Sequence, residues 1–200
     1  MIERGAMELF AQHGYQGVSM GEIARAGGVT PAVVYDHFPS KASLAIELLE
    51  RETETLLGFV GRELEAAPAE PAALFRAGVG AFFAYVEEHR FAWRILFRDP
   101  PTDPEVAAAY RRLNHRATKG IAVFLTSGGA ALAAFGDPEQ AAEVFAEGLK
   151  AAQNGLAAWW YEHPEVPRAT IVERLLQLTW LGLERVALSG PTLSGPTKPA

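Results

Sequence analysis

Apolar side chains recur every three or four positions along almost the whole chain, and β-branched runs alternating with polar residues are missing. That spacing lines one face of a helix and argues against strands. Ile2, Ala6, Leu9 and Phe10 share such a face, which predicts a first helix over about 2–13 with Gly14 as its stop. Ser19-Met20-Gly21-Glu22 reads as a capping box: the Ser19 hydroxyl can accept from the Glu22 amide while the Glu22 carboxylate reaches back. A short second helix over about 20–26 follows and breaks at Gly27-Gly28-Val29. Thr30 then stands as N-cap with Pro31 at the first helical position, and the third helix closes near Phe38-Pro39. Ser40 caps a long fourth helix over about 41–66. Beyond Pro68-Ala69-Glu70-Pro71 the pattern predicts helices at about 71–89, 91–98, 104–127, 138–161 and 168–189. Their breaks are Asp99-Pro100-Pro101, Gly128-Gly129, Asp137-Pro138 and Pro164 to Pro167. The fold class is all-α: a three-helix head over 1–46, a larger helical domain over 47–189, and a tail over 190–200 expected to be loose.

Two short helices joined by a glycine-containing turn, within Ser19 to Lys41, make the helix-turn-helix pattern. Met20, Ile23 and Ala24 can bury one face of the second helix; Val34 and Phe38, four apart, can bury one face of the third. Ala32, Val33 and Asp36 are left facing outward, with Tyr35 at the side. A helix with small residues near its N-terminus can enter a major groove closely. Thr30, Tyr35 and Lys41 lie where hydroxyls and an ammonium can hold phosphates on both sides of it. The plain alternative is a compact three-helix bundle that touches no DNA.

Charge pulls the other way. The chain of 200 residues has a net charge of -6. Residues 1–46 carry Arg4, Arg25 and Lys41 against Glu3, Glu8, Glu22 and Asp36, so the head is near neutral and holds no basic patch. Phosphates would have to be met partly by amides, hydroxyls and helix N-termini. The 49% apolar content is enough for a real core. The lack of cysteine removes disulfides, thiolate metal sites and a cysteine nucleophile, and fits a reducing cytoplasm. No apolar run reaches the ~18 residues of a membrane span, and the amphipathic start is unlike a signal peptide. No two histidines stand four apart, so no metal or other cofactor is expected.

The segment LFAQHGYQGVSMGEIARAGGVTPAVVYDHFPSKASL, Leu9 to Leu44, resembles the DNA-binding head of the tetracycline-repressor (TetR) family. Phe10, Gly14-Tyr15, Ser19-Met20, Ile23-Ala24, Gly28-Val29, Tyr35, His37-Phe38 and Lys41 stand at the family's spacing. The resemblance implies a cytoplasmic homodimer, usually a repressor, released from its operator when a small molecule enters the helical domain. Carried over position by position, it implies DNA contacts at Thr30, Ala32, Val33, Tyr35, Asp36, His37 and Lys41. Gly21 departs from it, standing where some members place a base-reading side chain, so the second helix is expected to read no base. Members also carry a basic arm ahead of the first helix, whereas this sequence opens almost inside that helix. Beyond residue 50 the resemblance is architectural.

The larger domain is rich in aromatics and leucine and has no phosphate-binding loop, which points to a mostly apolar ligand in a cavity between helices over about 71–161. Trp93, Phe97 and Phe124 are candidate lining residues; Tyr85, Tyr110, His115, Gln153 and Asn154 are candidate polar anchors. Gln153 and Asn154 stand out amid alanine and glycine. The stripe Ala141, Gly148, Ala152 and Gly155 invites close approach of another helix, since glycine inside a helix costs about 1 kcal/mol relative to alanine and asks for a reason. With Leu175, Leu178 and Gly182 of the last helix, Gly148, Ala152 and Gly155 match the two helices that build the dimer interface in the resembled family. The rivals are an enzyme on a helical scaffold, for which no convergent catalytic set appears, and a helical protein-interaction module without DNA binding.

Overall fold

The computed structural model describes residues 1–94, 102–127 and 136–189, with side chains described as far as 179 and Ser127 excepted. Every regular element among them is a helix: α1 (Ile2–His13), α2 (Met20–Gly27), α3 (Pro31–His37), α4 (Lys41–Ala66), α5 (Pro71–Glu88), α6 (Arg90–Trp93), α7 (Pro104–Ser127), α8 (Pro138–Glu162) and α9 (Arg168–Ser189). The breaks at 99–101 and 128–129, the end of the helix expected over 91–98, and the tail over 190–200 lie outside the described residues.

Local chemistry sets the starts and stops. Ser19 closes its capping box, its Oγ accepting from the Glu22 amide at 3.3 Å and its own amide donating to Glu22 Oε2 at 2.8 Å. Gly28 ends α2 in the left-handed conformation (φ 69°), which glycine adopts without steric cost. Thr30 and Pro31 open α3, and Phe38 turns extended before Pro39, as a residue preceding proline must. Ser40 and Ser43 cap α4 reciprocally at 3.0 and 3.1 Å. Asp137 caps α8 through the Glu139 amide.

In the head, α1 and α2 cross closely because Gly5 and Gly27 carry no side chain at the contact. A Cβ on Gly5 would stand 3.1 Å from the Ala26 Cβ, and one on Gly27 would stand 3.2 Å from the Ile2 Cα. Ala6, Phe10, Ile23, Val34, Leu44 and Leu48 are buried together there. The same core runs on without a break into Phe82, Phe83, Tyr85, Trp93 and Leu175, so α4 carries one apolar interior from the head into the larger domain. A second cluster, Ala122, Leu125, Ala141, Ala142 and Ala146, joins α7 to α8.

Candidate nucleic-acid interface

Helix α3 divides as its sequence predicts. Val34 is fully buried, while its neighbour Val33 is 37% exposed and Tyr35 is 53% exposed. Thr30, Ala32, Asp36 and His37 are exposed as well. Burial of Val34 and Phe38 against the head core fixes the helix about its axis. The free face therefore presents a methyl, a branched aliphatic side chain, a phenol, a carboxylate and an imidazole.

Lys41, expected from the sequence to meet a phosphate, also makes contacts inside the head. Its Nζ donates to the carbonyls of Tyr15 (2.9 Å) and Val18 (2.8 Å) and lies 4.4 Å from the centre of the Tyr15 ring. It clasps the turn between α1 and α2, leaving one of its three N–H groups and its charge toward solvent. Beside it an open depression of about 410 Å³ is lined by Gln16 to Met20, Glu22 and Lys41. Ser19 stands here as the N-cap its sequence predicts, whereas nothing in the sequence marks Gln16 for this depression. The Glu22 carboxyl is held below its usual range by its hydrogen bonds from the Ser19 hydroxyl and amide, so it stays charged at this rim.

The proposed ligand anchors scatter more widely. Tyr85 is fully buried; its hydroxyl donates to Glu52 Oε2 at 3.3 Å, and His89 stacks on its ring at 4.8 Å. Burial, then the Glu52 charge, pushes the phenol well up from its ordinary value. Trp93 is buried and stacks on Tyr161 at 6.0 Å, with an indole N–H that has no hydrogen-bond partner among the described residues. Gln153 is buried and makes no hydrogen bond among the described residues. Tyr110, Phe124 and Asn154 are half-buried. His115 is exposed on α7 and lines no interior space. Phe97 lies outside the described residues. A cleft of about 90 Å³ between Val86, Glu87, Arg90, Trp160, Tyr161 and Pro164 is too small for a drug-sized ligand, which needs roughly 300 Å³ or more.

On the outer face of α8, Val144 (65% exposed), Gly148, Gly155 and Trp159 (46% exposed) form one stripe at helical spacing, and Leu178 on α9 is 75% exposed. A Cβ on Gly148 or Gly155 would meet nothing within 4 Å. Ala152 is half-buried, and Leu175 is consumed inside the subunit, where it joins the core shared with α5. The surroundings of Gly182 lie outside the described residues.

The chain matches the family model described as bacterial regulatory proteins, tetR family, over residues 2–48, and the tetracyclin repressor-like C-terminal domain over residues 71–182. It is 33% identical over 186 residues to the HTH-type transcriptional activator FasR of Mycolicibacterium smegmatis, across 92% of this chain and 82% of that one. It is 39% identical over 72 residues to the HTH-type transcriptional regulator AcrR of Shigella flexneri, across 36% of this chain and 33% of that one. The fold is similar to that of the fatty acid degradation regulator FadR from Bacillus halodurans, with a TM-score of 0.77 at 16% identity, covering 91% of this chain and 97% of that one. A TetR-like transcriptional regulator from Rhodococcus sp. RHA1 gives a TM-score of 0.73 at 21% identity, covering 92% and 93%. With a DNA-binding head and a helical C-terminal domain both matched in order along the chain, the protein belongs to the TetR family of bacterial transcriptional regulators.

Proposed function

We propose that the chain acts as a homodimer that grips a palindromic operator through two copies of α3 and is controlled by a small, mostly apolar ligand in the larger domain. The observation that carries the DNA half is the division of α3, with Val34 locked inward and Ala32, Val33, Tyr35, Asp36 and His37 free on one face. Thr30 and Lys41 flank that face with groups suited to phosphates. Two heads related by a two-fold axis favour a two-fold site. Selection of bound sequences from a random duplex pool tests this directly; enrichment of a palindrome is the expected result, and no enrichment at low salt would overturn it.

The dimer half rests on the α8 stripe and Leu178. A bulky side chain at Gly155 has open space within its own subunit, so Gly155→Leu should leave the monomer fold intact and act only where a partner helix approaches. Light scattering should report a dimer for the wild-type chain and a monomer for this variant. A wild-type monomer at micromolar concentration would count against the reading.

A dimer that leaves its operator when ligand binds represses where the site overlaps a promoter. FasR, at 33% identity, is named an activator, which favours keeping activation as a second reading. A reporter assay with the selected operator placed at and upstream of a promoter separates them. The absence of any need for catalysis or cofactor fits either sign, as does action at DNA in the cytoplasm. No helix among the described residues is long and apolar enough to cross a membrane.

A further inference from the structure

One carboxylate holds two parts of the molecule at once. Asp103 stands just before α7, and its Oδ1 accepts from the amides of Glu105 (3.0 Å) and Val106 (3.3 Å), capping the helix. Its Oδ2 accepts from the Tyr15 phenol at 3.3 Å. Gln16 makes a parallel bond, its Nε2 donating to the Thr102 hydroxyl oxygen at 2.9 Å. Tyr15 and Gln16 belong to the turn between α1 and α2, in the head; Thr102 and Asp103 belong to the larger domain.

Contacts continue from that bond to the DNA-facing corner. The Tyr15 ring packs on Phe10 at 5.6 Å and lies beneath the Lys41 ammonium. The same ammonium takes the Tyr15 and Val18 carbonyls, next to Ser19 at the start of α2. The head is also tied to α4, through the unbroken helix and through the Glu3–Arg51 ion pair. The bonds at Tyr15 and Gln16 tie it instead to α7, which packs along both α4 and α8.

We infer that Tyr15 and Asp103 form a latch through which the start of α7 holds the head in the orientation that fits its operator. This rests on the reading of the head as the operator-binding part and adds how that surface is regulated. A head held at the right angle loses less orientational freedom when it meets DNA. Hydrogen bonds to a carboxylate are stronger than neutral ones. Asp103 cannot follow a shift of α7 and keep both sets of bonds, so movement of that helix acts on the turn below Lys41. Tyr15 and Asp103 are thus positioning residues; neither is asked to touch DNA.

The test uses the full-length protein and a duplex enriched by the wild-type chain from a random pool. Tyr15→Phe removes only the hydroxyl and keeps the ring beneath Lys41. Asp103→Ser keeps an equally good helix cap but removes the second oxygen. Each substitution should weaken operator binding about fivefold, and the double variant should be no weaker than either single one. The salt dependence should stay unchanged, since no phosphate contact is lost. Melting temperatures should stay within about 2 °C of wild type. Gln16→Ala, which touches neither the cap nor the Tyr15 ring, should weaken binding in the same direction. Effects that multiply in the double variant, unchanged affinity in both single variants, or tighter binding would each overturn the latch. Failure of the wild-type chain to enrich any duplex is a different result: it removes the operator-binding reading, and the latch with it.

Discussion

The Lys41 ammonium donates to the carbonyl oxygen of Tyr15 at 2.9 Å while lying 4.4 Å from the centre of that residue's own ring. With the Val18 carbonyl it has two fixed acceptors inside the head before any phosphate arrives. Lys41→Ala should therefore do two things. Unfolding by urea should show a loss of about 1–2 kcal/mol, the worth of hydrogen bonds made by a charged donor. Binding to all duplexes should weaken together, with a salt slope lower by about one. A loss of stability with an unchanged slope would confine Lys41 to the turn.

Val33 and Val34 are adjacent and should behave as opposites. Val34 is fully buried in the head core, so Val34→Ala should cost about 2 kcal/mol of stability through lost burial and the space left behind. Val33 is exposed on the free face of α3, so Val33→Ala should change stability by less than about 0.5 kcal/mol. Its effect should appear as a weaker preference at one operator position, where its methyl groups would meet a thymine methyl. Parallel melting curves and sequence selection on the two variants check both halves. Uniform weakening of all duplexes by Val33→Ala would place Val33 away from the bases.

What the sequence made legible was what local chemistry dictates. Ser19 with Glu22, Thr30 with Pro31, and Ser40 each fix a helix start within a few residues, and the structure places α1 to α4 at or within one residue of the expected bounds. The alternation of Val33 and Val34 between surface and core follows from helical periodicity in the same way. Contacts across long separations were not legible. Nothing near Tyr15 announces Asp103, and nothing near Lys41 says that its flexible stem curls toward Val18 rather than outward. Leu175 and Leu178 look alike in sequence, yet one is core and the other is exposed, because only the packing of α9 on α5 decides which face turns inward.

Acid should act on the contact between α7 and α8. The Glu147 carboxyl is held below its usual range first by the Thr118 hydroxyl and then by the hydrogen bond and charge of Lys150. Lys150 is largely enclosed there, its Nζ also donating to Thr118 Oγ1 at 2.7 Å and to the Asn114 carbonyl at 3.2 Å. A carboxyl with a lowered value in the fold contributes stability above its unfolded value, near about 4.3, and loses it as pH falls through the folded value. Wild type should therefore be more stable than Glu147→Gln at neutral pH, and the two should converge in acid. Glu147 is mostly exposed, so the difference should be small and should shrink in high salt. Melting temperatures of both proteins from about pH 7 to pH 3 check it; a gap that persists in acid would mean the charge is not its source.

Two tryptophans offer an internal control for the proposed ligand site. Both are buried. The Trp160 indole N–H donates to the Val166 carbonyl at 2.7 Å, whereas the Trp93 indole N–H has no partner among the described residues. An unpaired buried donor costs about 1–3 kcal/mol, so Trp93→Phe regains part of what it loses in packing, and Trp160→Phe does not. Trp93→Phe should therefore be the milder change by about 1–2 kcal/mol in urea unfolding. If the unpaired N–H serves a ligand, the ligand must bring a hydrogen-bond acceptor into an otherwise apolar interior. Apolar compounds with and without a carbonyl should then separate in a thermal-shift screen. Those with it should stabilise the wild type and lose about tenfold in affinity against Trp93→Phe, while Trp160→Phe should leave their affinity unchanged. To act as effectors they must also move operator affinity, since tight binding that does not discriminate between states shifts nothing. Hits that bind wild type and Trp93→Phe equally would remove Trp93 from the site.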